Sequence, residues 1–401
     1  MNEATQQYVR QHADDDVRQL ALRGCRNPDV DFTLALQQIQ GRQTARSKLP
    51  TWAAHEEIVY PPHLNMEQCS SEQTARYKAA VCRRVMNMLD SSNTPQSLVD
   101  LTGGFGVDFA FMAECFDHAT YVERDTQLFA VSSENLRQLL QSSDTTLDFI
   151  NADGTTYFPT LDHVTMFFLD PARRDVHGGR TYGINDCTPD VLAIEEKLLQ
   201  RADFVLLKLS PMLDWRKTVN DLGSAFVREI HIVATGGECK EMLVLLSSVG
   251  DGFRLYCVND DYVFEVSPDK ASLVPFEGKI TDAHYLYEPN AAIMKAGCFG
   301  ELAHRFGVTP IAHNSHLFLS SNPHPDFPGR KFRINVVTTM NKRDLRIVLS
   351  GLKQANITVR NFPLSVAELR KRLKLSEGGS TYLFATTQAD GTHILLLCDK
   401  L

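Results

Sequence analysis

The chain has 401 residues and a formal net charge of −8 at pH 7, and 43% of its residues are hydrophobic. A chain of this length is too long for a single hydrophobic core, so two to four domains are expected. The composition is that of a globular protein rather than a disordered one. No apolar run approaches the roughly 20 residues that span a bilayer, and the polar N-terminus is unlike a secretory signal. The nine cysteines include no CxxC pair, which argues against zinc or a disulfide framework and predicts a cytoplasmic protein.

Charge is distributed unevenly along the chain. From residue 300 onward there are 14 Lys and Arg against 7 Asp and Glu, a net charge of +7, so the first 299 residues carry −15. A basic C-terminal region on an acidic body is compatible with a polyanionic partner, although a solvated surface explains such a bias about as often.

Residues 1–90 are predicted to form a helical N-terminal cap, because apolar residues recur there every three or four positions between proline breaks. The last helix of this region lies in CSSEQTARYKAAVCRRVMNML, where Ser70 and Gln73 have the spacing of a capping box. Its candidate packed face consists of Ala75, Ala79, Cys82 and Met86.

Residues 91–272 alternate between short apolar runs and helical segments, which predicts an α/β fold with a doubly wound, mostly parallel sheet. Six strands are predicted, at 97–100, 119–123, 147–151, 164–170, 202–210 and 228–235. A seventh, in CKEMLVLLSS after Gly236 and Gly237, is expected to return beside the sixth. The predicted sheet is therefore seven-stranded and ends in an antiparallel pair.

Two small α+β modules are predicted after the sheet. Residues 273–328 form the first, a linker domain bounded by the Pro-rich stretch SSNPHPDFPGR. Residues 329–401 form the second, with the element order strand, helix, strand, helix and hairpin.

The stretch LVDLTGGFGVDFAFMA places Gly103, Gly104 and Gly106 at the tip of a predicted buried strand. Such glycines allow a tight turn or the close approach of a ligand, and ligands of open α/β sheets bind at the carboxyl ends of the strands. A P-loop needs GxxxxGK[ST], and no lysine follows here; a dinucleotide fingerprint fits poorly because Val107 and Asp108 follow the last glycine. The third interpretation is S-adenosylmethionine, which needs close backbone contact without a pyrophosphate cradle.

Acidic residues at four successive strand ends favour the third interpretation. Asp100 precedes the turn and could bind the methionine ammonium, directly or through water. Glu123 ends the second strand and can accept both ribose hydroxyls, while Asp153 follows the third and can accept from the adenine amino group. Asp170 ends the fourth strand, beside the expected transferable methyl group. A turn with positive φ, a helix N-cap and an exposed strand end are the alternative structural explanations.

The chain resembles class I S-adenosylmethionine-dependent methyltransferases, and more narrowly the bacterial proteins that join such a domain to a C-terminal THUMP-like domain. The matching stretches sample nearly the whole chain: QIQGRQTARSKLPTW, EQCSSEQTARYKA, DLTGGFGVD, LDPARRD, LLKLSPMLD, GGECKE, EPNAAIMKAG and FPLSVAELRKRLKL. Thr102 departs from the glycine of the family-wide pattern but follows the narrower DLTGG. The resemblance implies ferredoxin-like and THUMP-like C-terminal modules.

The resemblance also implies a set of cofactor-binding residues. They are Thr74, Asp100, Thr102, Gly103, Gly104, Phe105, Gly106, Asp108, Glu123, Arg124, Asp153, Gly154 and Asp170. Thr74 is included because the N-terminus of its helix could cover the carboxylate of the cofactor, with a further donor from Ser71. Plain core packing is the alternative for that helix.

The candidate catalytic residues are Asp170, Pro171 and Arg173, in LDPARR. The motif resembles the Asn/Asp-Pro-Pro-aromatic motif of enzymes that methylate exocyclic amines, where the carboxylate and the proline carbonyl accept from the amine. It also resembles the Asp-Pro-Pro-Arg motif of uracil C5 methyltransferases, which use a cysteine at the next strand end. Leu209 stands in that position here. Methylation of an amine or another heteroatom is therefore favoured.

The candidate substrate-binding residues are Arg174, Arg180, Lys208, Arg343, Arg370, Lys371 and Arg372. The arginines would clamp phosphates; ordinary ion pairs are the alternative. The histidines His313, His316 and His324 have no acidic neighbours in sequence, so no metal is predicted.

The predicted function is methylation of an RNA nucleotide, because THUMP-like domains generally serve RNA-modifying enzymes. A methyltransferase acting on a protein or a small metabolite is the first alternative, and a non-catalytic RNA-binding protein is the second. No membrane partner is predicted, and the sequence carries no indication of the oligomeric state.

Overall fold

A computed structural model describes residues 1–89, 94–173, 183–250, 252–266, 273–276, 278 and 280–401. The α-helices of these residues are α1 Glu3–Gln11, α2 Val17–Arg23, α3 Phe32–Lys48, α4 Pro50–Ala53, α5 His63–Gln68, α6 Glu72–Met86, α7 Val107–Met112, α8 Thr126–Leu139, α9 Gly154–Tyr157, α10 Val191–Leu199, α11 Trp215–Asp221, α12 Ala291–Ala296, α13 Phe299–Phe306, α14 Lys342–Val348 and α15 Val366–Leu373. None of the described helices is both long enough and apolar enough to cross a membrane.

The strands fall into two large sheets and one short pair. They are β1 Ser97–Asp100, β2 His118–Glu123, β3 Thr146–Asn151, β4 Val164–Leu169, β5 Ala172–Arg173, β6 Cys187–Thr188, β7 Ala202–Leu209, β8 Val227–Thr235, β9 Glu238–Leu246, β10 Arg254–Asn259, β11 Tyr262–Val266, β12 Tyr285–Pro289, β13 Thr309–Pro310, β14 Phe318–Ser320, β15 Gly329–Thr339, β16 Asn356–Val359, β17 Thr381–Thr387 and β18 His393–Lys400.

The first sheet has nine strands in the order β11-β10-β8-β9-β7-β4-β1-β2-β3. The strands β3, β2, β1, β4 and β7 run parallel, and β9 is antiparallel to β7. The doubly wound sheet and its antiparallel end are thus confirmed, and the seven predicted strands are all present. The antiparallel hairpin β10–β11 adds the two strands that the sequence analysis did not predict.

The parallel arrangement brings the carboxyl ends of four strands to one edge. Glu123 and Asp100 are the last residues of β2 and β1, and Asp153 and Asp170 follow the ends of β3 and β4. All six residues of β4 are buried, and β1 and β2 are mostly buried, whereas β3 is the edge strand and is partly exposed. Burial of these runs against the flanking helices is what fixes the acids at the sheet edge.

Helices α1–α6 precede the sheet, as predicted for the N-terminal region. The first three have a small core of their own, formed by Val9, Leu20, Val30, Ala35 and Ile39. The predicted start of α6 was wrong by one residue. Ser71 is its N-cap and accepts from the N–H of Thr74, whereas the side chain of Ser70 donates to Asp108 at 2.8 Å. The predicted packed face of α6 is buried.

The chain divides into two compact units. The first comprises Met1–Ile230 and Glu241–Gly252, and the second comprises His231–Lys240 and Phe253–Leu401. The second unit contains a seven-stranded sheet of order β13-β14-β12-β15-β18-β17-β16. The predicted C-terminal elements are present, and α15 begins with a capping box between Ser365 and Glu368.

Candidate active site

The glycine turn after β1 is shaped by backbone conformation and by packing. Gly104 has φ +57° and Gly106 has φ +85°, a region that favours glycine. A Cβ on Gly103 would lie 2.2 Å from the ring of Tyr121, so this glycine is required by the neighbouring strand. A Cβ on Gly106 would lie 2.8 Å from the side chain of Leu136.

Gly154 is also required by the protein itself, because a Cβ there would lie 2.2 Å from the carbonyl oxygen of Leu101. Gly104 is different. Among the described residues, its two chain neighbours apart, the one atom within 4 Å of a Cβ at Gly104 would be the carbonyl oxygen of Thr102, at 3.7 Å. The backbone of Gly104 is therefore the part of the turn beside which a ligand has room.

Glu123 braces the turn with both carboxylate oxygens. Oε2 accepts from the N–H of Gly104 at 2.8 Å, and Oε1 accepts from the N–H of Asp125 at 2.7 Å. Because a carboxylate offers about four lone-pair positions, each oxygen can still accept one further hydrogen bond. Glu123 can thus brace the turn and bind hydroxyl groups at the same time.

Asp100 is buried beneath the turn, with 1% of its surface exposed. Its Oδ1 accepts from the N–H of Thr102 at 3.0 Å. Burial raises the pKa of Asp100 well above its ordinary value, and the nearby carboxylates of Asp108, Asp170 and Glu123 raise it further.

Asp153 is the N-cap of α9, which was the structural alternative considered for it. Its Oδ1 accepts from the N–H and the hydroxyl of Thr155, at 2.8 and 2.6 Å. These hydrogen bonds lower the pKa of Asp153, and the exposed Arg124 lowers it further. Capping leaves Oδ2 of the carboxylate available, because none of the described residues donates a hydrogen bond to it.

Asp170 is held at two points. Its backbone N–H donates to Oγ1 of Thr102 at 2.6 Å, and its Oδ2 accepts from Nζ of Lys208 at 2.5 Å. The Asp170 side chain is 38% exposed, whereas that of Lys208 is 11% exposed. Pro171 is buried, and the backbone of Arg173 pairs with Cys187 in the short β5–β6 pair. Arg174 and Arg180 lie outside the described residues.

Five charged residues of alternating sign extend from Asp170 into the interior, and we call them the charge ladder. In order they are Asp170, Lys208, Asp108, Lys78 and Glu241. Nζ of Lys208 is 3.7 Å from Oδ2 of Asp108, and Nζ of Lys78 is 3.2 Å from Oδ1 of Asp108. Lys78 also donates to Glu241.

The ladder changes the pKa values of its members. Burial alone would raise the pKa of Asp108, but Lys78 and Lys208 outweigh it and hold that pKa below its ordinary value. Burial raises the pKa of Glu241 in spite of the two lysines. Because unpaired buried charges are costly, the ladder is stable only as a set.

The residues at the start of α6 are close to the ladder. Both donors of Thr74 are used within the helix cap, since its N–H and its hydroxyl donate to Ser71. Thr74 is also 2% exposed. Both contacts of Thr74 support the start of α6.

Aromatic residues of the N-terminal helices pack on the glycine turn. The ring centroids of Trp52 and Phe105 are 4.8 Å apart. Tyr60 lies 6.4 Å from the same ring, and the amide of Gln38 pairs with both the N–H and the carbonyl of Tyr60 at 2.8 Å. No role was predicted from the sequence for Trp52, Tyr60 or Gln38. Gln38 and Trp52 lie in the stretch QIQGRQTARSKLPTW, which resembled the family without indicating a function, and Tyr60 lies outside that stretch.

The candidate substrate-binding residues of the second unit lie on α14 and α15. Arg343, Lys371 and Arg372 are exposed. Arg370 is half-buried, and its Nη1 donates to the carbonyl of Ala355 at 3.3 Å. Within the described part of the chain, no group of three or more His, Cys, Asp or Glu side chains is placed to hold a metal ion.

Comparisons with known proteins agree with this architecture. Residues 329–400 match a THUMP domain-like family, and residues 285–328 match a ferredoxin-like domain family. The crystal structure of a protein from Porphyromonas gingivalis W83 that is classed as a methyltransferase is similar over 99% of this chain and 97% of that chain, with 31% identity and a TM-score of 0.84.

More distant structures are similar over a smaller part of the chain, with lower sequence identity. A SAM-dependent methyltransferase from Agrobacterium tumefaciens matches 48% of this chain and 65% of its own, with 14% identity and a TM-score of 0.32. A protein from Pyrococcus horikoshii classed as an RNA methyltransferase matches 47% and 92%, with 13% identity and a TM-score of 0.34. No curated protein matches the sequence.

The fold and the first of these comparisons define the class. The chain belongs to the family of S-adenosylmethionine-dependent methyltransferases that carry a ferredoxin-like and a THUMP-like module after the catalytic sheet. The resemblance stated from the sequence is confirmed, and the protein is an enzyme of this class.

Proposed function

We propose that this enzyme methylates an amino group of an RNA nucleotide, and that Asp170 holds that amino group. The observation that carries the proposal is the row of acids at the ends of β3, β2, β1 and β4. Three of them lie where a nucleoside-containing cofactor would bind. The fourth, Asp170, is half-exposed at the adjacent strand end.

The residues fit the predicted cofactor. The open backbone of Gly104 and the two oxygens of Glu123 would hold the ribose, and Asp153 would accept from the adenine through Oδ2. Phe105 is buried against Trp52 and fixes the turn from behind. S-adenosylmethionine supplies the methyl group from its sulfonium.

Asp170 is suited to an acceptor that carries an N–H group. No described residue donates to its Oδ1, and that oxygen can therefore accept from an amino group, while the carbonyl of Pro171 would accept the second N–H. Transfer then depends on alignment of the nitrogen with the methyl group, which can contribute several kcal/mol.

Covalent activation of a pyrimidine is disfavoured. Leu209 ends β7 where the uracil C5 enzymes have a cysteine. Cys69 lies within electrostatic range of Lys208, but burial raises the pKa of its thiol and its Sγ donates to the carbonyl of Met66. A protonated, hydrogen-bonded thiol is a poor nucleophile.

RNA is the proposed substrate because of the second unit. The segment that matches the THUMP domain-like family contains most of the positive charge of the C-terminal region, including the exposed Arg343, Lys371 and Arg372. Exposed basic side chains are the usual contacts to phosphates.

The test is deletion of the gene in its host, followed by mass spectrometry of the nucleosides of total RNA. We expect one N-methylated nucleoside to disappear. The wild-type gene and an Asp203→Ala control, which changes a half-buried acid near the start of β7, should restore it, and Asp170→Ala should not. An unchanged nucleoside profile, with labelled methyl groups appearing on a protein or a metabolite, would overturn the RNA assignment.

A further inference from the structure

The side chain of Thr102 forms a hydrogen bond with Asp170, the candidate catalytic residue. Its Oγ1 accepts the backbone N–H of Asp170 at 2.6 Å, which joins the turn after β1 to the end of β4. The glycine of the wider methyltransferase pattern would leave that N–H without this partner. Thr102 therefore contributes a contact that the family-wide motif does not contain.

Lys208 fixes the carboxylate of the same residue. Its Nζ is 2.5 Å from Oδ2 of Asp170 and 3.7 Å from Oδ2 of Asp108, so the ammonium lies between two acids. Burial alone would lower the pKa of Lys208, but Asp170, Asp108 and Glu241 outweigh it and raise that pKa. The ammonium is thus retained and remains directed at Asp170.

We infer that Thr102 and Lys208 are positioning residues for methyl transfer: Thr102 fixes the main chain of Asp170, and Lys208 occupies its Oδ2, leaving Oδ1 as the oxygen that receives the acceptor amine. This inference rests on the proposed function. It gives Lys208 a role other than the substrate contact expected from the sequence, because its Nζ already faces two carboxylates.

The two contacts have different consequences. Loss of the Thr102 hydroxyl lets the strand end shift as a unit, together with Pro171. Loss of the Lys208 ammonium frees the carboxylate to rotate and leaves Asp108 with Lys78 as its remaining lysine in the ladder. Displacement of a reacting group by about 1 Å can lower a rate roughly 10²-fold.

The kinetic test compares isosteric and conservative variants, with tritiated S-adenosylmethionine and total RNA from the deletion strain as substrates. We expect Thr102→Val and Lys208→Met to lower kcat roughly 10²-fold while KM for the RNA changes little. Thr102→Ser and Lys208→Arg keep the hydroxyl and the charge and should recover activity to within about tenfold of wild type. Lys217→Met, which removes an exposed lysine of α11, is the matched control.

Calorimetry with S-adenosylhomocysteine separates positioning from cofactor binding. We expect the affinity of all five variants to stay close to that of wild type. A loss of affinity as large as the loss of kcat would overturn the inference, and so would full activity of Thr102→Val and Lys208→Met.

Crystal structures of the variants with S-adenosylhomocysteine give a readout that needs no acceptor. Asp170 should keep its carboxylate position in Lys208→Arg and lose it in Lys208→Met; an unmoved carboxylate in Lys208→Met contradicts the inference. If Lys208→Met does not fold, the Thr102→Val and Lys208→Arg variants still test the positioning roles. If wild type methylates no RNA, the proposed function fails, whereas the crystallographic comparison still tests the positioning.

Discussion

Individual side chains at the edge of the first sheet serve the turn and the candidate site together. Glu123 binds two backbone N–H groups and keeps lone pairs for a ligand, and Thr102 and Lys208 both hold Asp170. The acids themselves were predictable because each lies at or just after the end of a predicted strand. The partners were not, because the contacts of Lys208 with Asp108 and Asp170 join residues that are far apart in sequence.

Replacement of Glu123 tests the cofactor site. We expect Glu123→Ala to weaken S-adenosylhomocysteine binding by about 1.5–3 kcal/mol, since charge-assisted hydrogen bonds to the ribose are lost. Glu123→Gln keeps one acceptor oxygen and should lose less. Calorimetry on folded protein measures both variants, and wild-type affinity in Glu123→Ala would refute the ribose assignment.

The raised pKa of Asp100 predicts that the stability of the folded protein depends on pH. Its pKa is raised in the folded state, so the folded protein binds more protons than the unfolded chain once the pH exceeds about 4. Stability should therefore fall as the pH rises from there toward the folded pKa, by up to about 1.4 kcal/mol per pH unit from this group.

The variant Asp100→Asn removes the titration of this carboxylate, while its amide oxygen can still accept from the N–H of Thr102. The stability of the variant relative to wild type should increase with pH when both are measured by urea unfolding between pH 4 and 8. A difference that stays constant over this range would show that Asp100 is ionised in the folded protein.

At the scale of elements, side chains join strands that are distant in sequence. Glu288 of β12 is buried and accepts from Arg330 of β15 and from Arg360, which follows β16. Gly329 lets β15 approach, because a Cβ there would lie 2.1 Å from the carbonyl oxygen of Glu288. This junction links residues 285–328 to residues 329–400.

Loss of the Glu288 carboxylate should destabilise the second unit. We expect Glu288→Gln to cost about 1–3 kcal/mol, less than a fully buried pair because the two arginine side chains are 43% and 39% exposed. Glu301→Gln, which breaks an i,i+4 pair with Arg305 on α13, should cost about 0.5 kcal/mol or less. Equal unfolding midpoints for the two variants would contradict this.

The elements show which sequence signals were sufficient. Alternation of apolar runs and helical segments predicted the seven strands from β1 to β9 that take part in the first sheet. The hairpin β10–β11 was missed although Asn259, Asp260 and Asp261 separate its two apolar runs, and Asp260 has a positive φ of +53°. The start of α6 was placed one residue early because Ser70 and Ser71 are both good caps; the contact of Ser70 with Asp108, distant in sequence, distinguishes them.

At the scale of the whole molecule, the second unit limits how RNA binding can be tested. The strand β12 pairs with β14 and with β15, so a chain that ends near Gly329 would lose four of the seven strands of a continuous sheet. It would also remove Phe332, Phe384 and Ile394 from the core of that unit. Charge reversal at exposed positions is the better experiment.

Reversal of Arg343, Lys371 and Arg372 to glutamate should weaken RNA binding and lower the log–log salt slope by about 0.7–0.9 for each lost phosphate contact. Arg370 is left in place because it supports the carbonyl of Ala355. Reversal of the exposed Arg18 and Arg23 on α2 is the control. Filter binding at several salt concentrations measures the slope, and an unchanged slope would show that these helices do not bind the RNA.

The central claim is that Asp170 receives an amino group of RNA for methylation. The most direct measurement is single-turnover transfer of tritiated methyl groups from S-adenosylmethionine to total RNA of the deletion strain, by wild type and by Asp170→Ala. We expect wild type to label an exocyclic amino nitrogen, and the variant to be slower by roughly 10²-fold or more with unchanged S-adenosylhomocysteine affinity. Equal rates for the two proteins, or label on a carbon or a hydroxyl, would contradict the account.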